Sequence, residues 1–364
     1  MAPARVPHDL AENYPRECWY VAATSDEVGR HLLARRLLGR PVVLYRRRSG
    51  AVVAMHDRCA HRAFPLSRGT LEDDRVVCGY HGFAYDDDGR CVRVPSQPNA
   101  PYGACVPTFG VHEDPPFVWI WLGRADRAAR QPPPRLPWLA SDGWALSGGM
   151  LHVAANYMLL HENVLDLTHL QYVHPGISPV ALRSVAPPHR VEVTERSVSY
   201  SRDLPPAPLA AWQADVTGLP RERETRQRES GRFVSPGLWT GGWEIADASD
   251  GGRAYRLAFA YAFTPDGPSG THVFWRGGRD FAAESSAAGE RMTSVFEGVF
   301  GRRKEVLEAI EANVGLEREV GEVNVVADAA ALQARRIVAR MLAGERGTAR
   351  VGSGNRSARP PAGS

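Results

Sequence analysis

The chain has 364 residues, a length that predicts two domains, each with a core of its own. Apolar residues make up 43% and charged residues 23% of the sequence, as in ordinary globular proteins, and no apolar run is long enough to cross a bilayer. The 44 basic and 41 acidic residues are interleaved, which argues against nucleic acid as a partner. Because the first ten residues contain no apolar stretch, we expect a cytoplasmic protein with no membrane partner.

The first third of the chain predicts a small domain built from β-strands. After an N-terminal arm of residues 1–15, the segment 16–122 contains short apolar runs, such as 41–45 and 117–121, separated by turn signals. The following segment, 123–137, is rich in Arg, Ala and Pro and contains three consecutive prolines. Because this composition suits neither a sheet nor a core, we expect an extended linker there.

The remainder predicts a second domain of the α+β class over residues 138–343. A helix is expected over 156–174, followed by four strand-like stretches between residues 191 and 275 and a helical block over 285–342. Residues 344–364 consist largely of Gly, Ser, Arg and Pro, with little that is apolar to bury. We therefore expect a disordered tail.

Two cysteines and two histidines of the first domain form a candidate metal site. Cys59 and His61 make a Cys-x-His pair. After sixteen intervening residues, Cys78 and His81 make a Cys-x-x-His pair. A structural zinc, a Rieske [2Fe–2S] centre and a chance arrangement are the three interpretations. Zinc fingers usually take both cysteines from one loop, whereas here each loop supplies one thiolate and one imidazole. This alternation suits a Rieske centre, in which the cysteines hold one iron and the histidines hold the other.

The neighbouring sequence strengthens the second interpretation. Gly82 follows the second pair, residues 86–91 read Asp-Asp-Asp-Gly-Arg-Cys, and residues 65–69 read Pro-Leu-Ser-Arg-Gly. With these segments, the pattern resembles the Rieske domain of aromatic-ring oxygenases. The resemblance implies a [2Fe–2S] cluster as cofactor, bound by Cys59, His61, Cys78 and His81.

A second candidate site lies on the predicted helix, where Asp166, His169 and His174 follow one another. Five residues of regular helix rotate by about 500°, which leaves the two imidazoles about 140° apart. They can share a metal only if the helix loosens, and Pro175 permits this. Without the cluster site, His169 and His174 would be interpreted as a structural pair of histidines. Next to a cluster that stores single electrons, two histidines and a carboxylate favour the open site of non-haem iron(II) oxygenases.

The run from Asn163 to His174 is similar to that of the vanillate and dicamba O-demethylase group of Rieske oxygenases. The resemblance implies a helix-grip catalytic domain, an antiparallel sheet with helices, in which His169 and His174 bind a mononuclear Fe(II). It also implies catalytic roles for Asn163 and Asp166. Asp166 would fix the tautomer of an iron-binding imidazole and bridge to the counterpart of His81 on the adjacent subunit of a homotrimer.

The likeness runs from about residue 19 to residue 311 and implies the terminal oxygenase of a Rieske system. Such an enzyme uses O2 and electrons from NAD(P)H to hydroxylate or oxidatively demethylate an aromatic or other small organic substrate. Because the chain has no nucleotide fingerprint, a separate ferredoxin or flavin reductase is the expected partner. A Rieske electron-transfer or interaction subunit without a working mononuclear site is the alternative.

One position departs from the family pattern. The third iron ligand of the group is usually an aspartate just ahead of a helix that reads like residues 304–311, and Arg303 occupies the matching position here. A guanidinium about 6 Å from a divalent ion would be repelled by roughly 5 kcal/mol. Arg303 is therefore expected to point away, or the iron site is lost. A carboxylate relocated to Glu305 or Glu297, an iron held by two histidines, and no catalytic iron remain the alternatives.

Overall fold

The computed structural model describes residues 14–183, 187–247, 254–316 and 321–353. The first part of the chain folds into three small antiparallel sheets, and the second part forms one seven-stranded antiparallel sheet with helices packed against it. The α+β prediction is therefore confirmed. None of the helices in the described ranges is both long and apolar enough to cross a membrane.

The three small sheets have the strand orders β1-β10-β9, β2-β3-β4 and β5-β6-β7-β8. Alternating buried side chains of these strands form a core around Tyr45, Met55 and Tyr85, which are fully buried. The strands are β1 Trp19–Thr24, β2 Leu33–Leu37, β3 Arg40–Arg46, β4 Val52–His56, β5 Thr70–Glu72, β6 Arg75–Val77, β7 Ala84–Tyr85, β8 Cys91–Arg93, β9 Gly110–Asp114 and β10 Phe117–Trp121.

The large sheet has the order β11-β17-β16-β15-β14-β13-β12, so that the six strands from β12 to β17 follow one another as neighbours and β11 lies at the edge beside β17. Thr264 on β16 donates from Oγ1 to the carbonyl of Val21 on β1 at 2.7 Å, which joins the large sheet to the first domain. The strands are β11 Ala145–Val153, β12 Arg190–Val193, β13 Val198–Ala207, β14 Thr225–Ser235, β15 Leu238–Asp247, β16 Tyr255–Gly267 and β17 Gly270–Arg279.

Within the described ranges, six helices accompany the strands, together with four short 3-10 turns. The long helix α5 contacts β11 and α4, and α6 contacts α2 and β13. The helices are α1 Ala125–Ala128, α2 Tyr157–Leu165, α3 Leu170–Val173, α4 Ala211–Thr217, α5 Ser286–Leu316 and α6 Ala329–Ser353.

The linker over 123–137 is not wholly extended, contrary to the prediction. Residues Ala125–Ala128 form one helical turn, and a 3-10 turn begins at Pro137. The Ala-Asp-Arg-Ala sequence has good helix formers at both ends, and Asp126 in the first turn suits the positive end of the helix dipole. The prolines that suggested an extended segment lie after this turn.

The expected disordered tail is also wrong for its first ten residues, because α6 continues to Ser353. Apolar side chains at Ile337, Val338 and Leu342 are buried in the turns of α6 that precede this segment, so the helix is anchored where the tail was expected to begin. Glu345 accepts hydrogen bonds at 2.9 Å from the backbone N–H groups of Arg16 and Glu17, which ties the helix to the first domain. Residues 354–364 and residues 1–13 of the predicted arm lie outside the described residues.

The predicted helix over 156–174 is divided in two. Asn156 caps α2 by accepting a hydrogen bond from the Met158 N–H at 2.9 Å, and α2 ends at Leu165. A new single turn, α3, covers Leu170–Val173, with His174 outside helical geometry at φ −128° and ψ 55°. The loosening that the two histidines require is therefore present.

A row of three glycines, interrupted by Phe259, crosses the large sheet. One residue from each of β14, β15, β16 and β17 is paired with the next across the sheet, and these residues are Gly231, Gly241, Phe259 and Gly277. A Cβ on Gly231 would lie 2.4 Å from the ring of Tyr200, and one on Gly241 would lie 2.2 Å from the ring of Trp239. Aromatic rings thus lie directly over the backbone of the sheet.

His161 on α2 is completely buried among Phe233 and Phe263, with its ring centroid 4.8 Å from each. Its Nε2 lies 2.9 Å from the carbonyl of Pro236, so the neutral ring donates a hydrogen bond there. Burial lowers the pKa of His161 to about 4 from its ordinary value of 6.5.

We predict that His161 weakens the fold in acid. Between pH 6.5 and 4 the unfolded imidazole binds a proton that the folded one does not, so the free energy of unfolding falls as the pH is lowered. The loss amounts to about 3 kcal/mol by pH 4. Urea unfolding of His161→Gln, which keeps a donor for Pro236, should show a flatter pH dependence than the wild type. His112→Gln replaces an exposed imidazole and should not; equal slopes for wild type and His161→Gln would refute the prediction.

Candidate functional site

Two loops with the same backbone hydrogen bonds carry Cys59 and Cys78. The Cys59 N–H donates to the carbonyl of Phe64 at 2.9 Å, and the Cys78 N–H donates to that of Phe83 at 2.8 Å. Ala63 and Gly82 lie four positions after Cys59 and Cys78, and the N–H of each donates to the carbonyl of its cysteine. Both residues have a left-handed backbone conformation. The Ala63 conformation is strained for a residue with a side chain. The loops follow β4 and β6, whose buried residues anchor them.

The histidines of the two loops lie on the outside of the cysteines. Cys59 and Cys78 are buried, whereas His61 and His81 are exposed with their ring centroids 4.8 Å apart. The ring of His61 stacks on Phe83 at 4.7 Å. The structure thus pairs the two imidazoles at the surface and keeps the two cysteines of the same loops buried.

The donor set fits a [2Fe–2S] cluster. Among the residues that the structure describes, no group of three or more His, Cys, Asp or Glu side chains converges on one metal position, as a zinc site would need. A Rieske cluster needs only two protein ligands per iron, which the buried thiol pair and the exposed imidazole pair supply. The phenol of Tyr85 lies 3.1 Å from the Cys59 sulfur, and burial raises the pKa of Tyr85, which keeps its hydroxyl proton available.

The second pair of histidines comes together as the sequence predicts. His169 and His174 have ring centroids 5.6 Å apart. The Nε2 atoms of both rings are buried and have no hydrogen-bond partner. Burial, together with the charge of Arg303, lowers the pKa of His169 to about 4 and that of His174 to about 3. Both rings are therefore neutral at pH 7, which is the form that binds a metal.

Asp166 organises this pair through its main chain. His169 Nδ1 donates to the Asp166 carbonyl at 2.8 Å, which leaves the Nε2 lone pair free. The Asp166 carboxylate accepts hydrogen bonds from the N–H and Oγ1 of Thr168, at 2.8 and 2.9 Å. The tautomer of His169 is therefore held by the Asp166 carbonyl, whereas the Asp166 carboxylate closes its own turn. Asn163 lies on α2, and its Oδ1 is buried without a partner.

Arg303 does not point away from the histidines. It lies on α5 with 6% of its surface exposed, and its guanidinium carbon is 5.5 Å from the ring centre of Tyr261 and 5.1 Å from that of Phe300. The expected orientation is wrong because this face of α5 packs on the large sheet. Glu297 and Glu305 are both exposed and line no part of the cavity that Arg303 lines. Neither relocated carboxylate is in place.

Arg303 and Tyr261 line a cavity of about 90 Å³ in the second domain. Its walls are mainly aromatic and aliphatic, and its only acidic side chain among the described residues is Glu229. The lining includes Val164, Leu167, Leu170, Tyr200, Trp212, Trp239, Trp243, Phe259, Tyr261, Phe296 and Arg303. Small cavities of this composition suit ligands with an apolar body and few polar groups.

A buried charge cluster beside the cavity was missed by the sequence analysis. Glu229 is 1% exposed, and its Oε1 lies 2.5 Å from an Arg202 nitrogen and 2.9 Å from His189 Nε2. Glu229 and Arg202 face each other across the paired strands β13 and β14. Polar residues that alternate along a strand predict a solvent-facing side of the sheet. Here they are buried because helices cover this face of the large sheet.

Comparison with known proteins agrees with this architecture. The profile of the Rieske [2Fe-2S] domain matches residues 18–110, and that of the vanillate O-demethylase oxygenase C-terminal domain matches residues 153–344. The chain is 30% identical to the vanillate O-demethylase oxygenase subunit of Pseudomonas sp. (strain HR199 / DSM 7063), over 91% of this chain and 96% of the relative. It is 31% identical to an iron-sulfur subunit of the toluene-4-sulfonate monooxygenase system of Comamonas testosteroni, over 91% and 98%.

A solved structure shows the same fold over both domains. The crystal structure of dicamba monooxygenase bound to 3,6-dichlorosalicylic acid superimposes with a TM-score of 0.84 at 26% identity, covering 92% of this chain and 99% of that one. The resemblance stated from the sequence is confirmed. The chain belongs to the Rieske oxygenases, as an oxygenase subunit of the vanillate O-demethylase and dicamba monooxygenase group.

Proposed function

We propose that the chain is the terminal component of a multi-component system that hydroxylates or oxidatively demethylates a small aromatic compound. The observation that carries this is the pairing, in one chain, of a cluster site whose imidazoles are exposed with a buried pair of imidazoles whose Nε2 atoms face no partner. The names of the relatives support the proposal, since they describe oxygenase or iron-sulfur subunits of such systems.

The cluster would be held by Cys59, Cys78, His61 and His81, and when bound it supplies one electron at a time. The exposed ring edges of His61 and His81 give an electron donor access to the site. We propose a separate ferredoxin or flavin reductase as that donor, because the sequence contains no dinucleotide fingerprint.

The catalytic domain contributes binding and shielding. Trp239, Phe259 and Phe296 form walls against which an aromatic ring packs and from which water is excluded. The Asp166 carbonyl holds the His169 proton on Nδ1, so that the buried Nε2 atom, which has no hydrogen-bond partner, carries a lone pair. Two nitrogen donors fit a mononuclear iron, but no third protein donor joins them among the described residues. Arg303 does not fit the place of a ligand.

We further propose that the chain works as a homotrimer, in which Asp166 of one copy approaches the cluster loops of the next. Asp166 is partly exposed and His81 is exposed, as a contact between copies requires. A heterologous contact of this kind closes into a ring under threefold symmetry. The mass in solution by analytical ultracentrifugation tests it, and a monomer at micromolar concentration would contradict it.

We predict that Tyr85→Phe lowers the reduction potential of the cluster. The Tyr85 hydroxyl lies 3.1 Å from the Cys59 sulfur, and a hydrogen bond there stabilises the reduced, more negative cluster. The expected drop is about 60 mV, which corresponds to about 1.4 kcal/mol for one electron. Voltammetry of the purified chain measures it.

Tyr45→Phe is the matched control, because Tyr45 is buried in the same core but donates to the carbonyl of Asp74. Its potential should equal that of the wild type. A Tyr85→Phe potential that also stays unchanged would show that the hydroxyl does not act on the cluster.

We predict that Asp166→Asn slows substrate-dependent NADH oxidation by about 10-fold or more in the presence of a reductase and O2, because the proposed contact of Asp166 with the cluster loops of the next copy loses its negative charge. The asparagine oxygen still accepts from the Thr168 N–H, so the local turn is preserved. The cluster signal in electron paramagnetic resonance should remain as in the wild type. Full activity in this variant would exclude a role for the carboxylate.

Product analysis of the same reaction mixture, together with the iron content of the chain, separates an oxygenase from an electron carrier. Oxygen incorporated into product, with more than two irons per chain, supports the oxygenase. Two irons and two sulfides per chain without product formation would support the electron-transfer subunit instead, an alternative that Arg303 favours.

A further inference from the structure

Glu229 is a buried carboxylate with one oxygen that is paired and one that is not. Its Oε1 atom lies 2.5 Å from an Arg202 nitrogen and 2.9 Å from His189 Nε2. The Oε2 atom is also buried, but it has no hydrogen-bond partner. Paired with a guanidinium, the carboxylate is ionised, and an ionised carboxylate only accepts hydrogen bonds. The free oxygen therefore requires a donor from outside this cluster.

The position of the cluster directs the free oxygen towards the cavity of about 90 Å³, which Glu229 lines. Arg202 and His189 do not line this cavity among the described residues; both line a second cavity, of about 360 Å³. Leu167 lines both cavities, so the charge cluster stands between them. The two donors that hold Oε1 thus lie towards one cavity, and a ligand in the other meets the carboxylate.

The walls of the smaller cavity do not supply the missing donor. The Tyr200 hydroxyl donates to a backbone carbonyl of α2 at 2.7 Å. Trp212 Nε1 donates to a backbone carbonyl at 2.8 Å, and Trp243 Nε1 donates to Gln227 Oε1 at 2.9 Å. These three donors are committed elsewhere, which leaves a bound molecule to satisfy Glu229.

We propose that Glu229 selects substrates that carry a hydroxyl group, by accepting a hydrogen bond from that group at Oε2. A positively charged donor is disfavoured, because the guanidinium of Arg303 lines the same cavity. A hydroxyl group suits the site because its oxygen also accepts hydrogen bonds. Trp239 Nε1 and Arg303 Nε are donors without a partner in this cavity. Since the remaining walls are aromatic and aliphatic, the substrate class is a phenol or a related hydroxylated ring.

The free acceptor reverses the order of affinities that hydrophobicity alone would give. Toluene differs from phenol by a methyl group in place of the hydroxyl group. A cavity that rewarded only apolar area would bind toluene more tightly. A ligand without a donor, however, leaves the buried oxygen of Glu229 unpaired and displaces any water that could pair with it. Glu229 therefore predicts that phenol binds more tightly than toluene.

The inference rests on the proposed function in treating the cavity as the substrate site, but its test requires no turnover. Isothermal titration of the purified holoprotein measures the affinities for phenol, toluene and anisole, whose oxygen accepts but does not donate. We expect phenol to bind at least about 10-fold more tightly than either of the other two. Anisole identifies the direction of the hydrogen bond, since a donor in the wall would bind its oxygen as well as that of phenol.

Glu229→Gln tests the atom to which the role is assigned. Because Arg202 and His189 are both donors to Oε1, the amide oxygen should stay with them, and the amide nitrogen takes the place of Oε2. We expect phenol to bind about 10-fold more weakly than in the wild type and anisole to bind more tightly. A purely structural role would weaken the binding of both ligands together.

Glu244→Gln is the matched control, because it neutralises an exposed acid on β15, the strand next to that of Glu229. Its three affinities should equal those of the wild type. Circular dichroism and the cluster signal show whether each variant is folded. If Glu229→Gln does not fold, the order of the three ligands in the wild type still decides the question.

The outcomes separate the two proposals. A preference for phenol that Glu229→Gln loses, in a chain that forms no oxygenated product, leaves this inference standing and refutes the oxygenase. The inference is overturned if the wild type binds toluene or anisole as tightly as phenol, or binds no phenol at millimolar concentration. A preference for phenol that is unchanged in Glu229→Gln overturns it as well, whatever the chain does with O2.

Discussion

The end of α2 at Leu165 is the constraint on which the second site depends. In a continuous helix His169 and His174 would point about 140° apart. The Asp166 carboxylate closes a turn on Thr168, its carbonyl orients His169, and His174 follows the single turn of α3. One residue thus both breaks the helix and aligns a ligand. The second domain holds this break in place: Glu308 and Glu311 of α5 accept from backbone N–H groups just before α2, and Glu162 on α2 forms an ion pair with Arg335 of α6.

Much of this arrangement could be predicted because the information is local. Two short loops contain Cys59, His61, Cys78 and His81. The spacing of these four residues along the sequence was therefore enough to predict the two loops as a candidate site. The direction of Arg303 could not be predicted, since it depends on which face of α5 packs on the sheet. The extension of α6 was concealed for a similar reason. Its buried residues are few, and a long-range hydrogen bond at Glu345 supports it. The cluster around Glu229 has the sequence pattern of a solvent-facing strand, and it is buried only because helices cover it.

The substitution of a cation for a carboxylate changes the electrostatics of the site rather than its shape. The fold matches that of dicamba monooxygenase over nearly all of the chain, and the two imidazoles are brought together. With an aspartate, the site would have a negative charge that a metal ion neutralises. With Arg303 the site has a buried positive charge near the two imidazoles, which contributes to the lowered pKa of both rings.

The glycines of the large sheet let three aromatic rings of the cavity wall pack directly on peptide backbone. Tyr200, Trp239 and Phe296 lie over Gly231, Gly241 and Gly277, where any added methyl group would meet a ring at less than 3 Å. A side chain at any of these glycines would therefore displace a ring of the cavity wall. Discrimination between isomers that differ at ring positions facing this wall depends on the rings themselves. Evolution of a new regioselectivity would accordingly proceed through the aromatic side chains and through α5, while the sheet stays as it is.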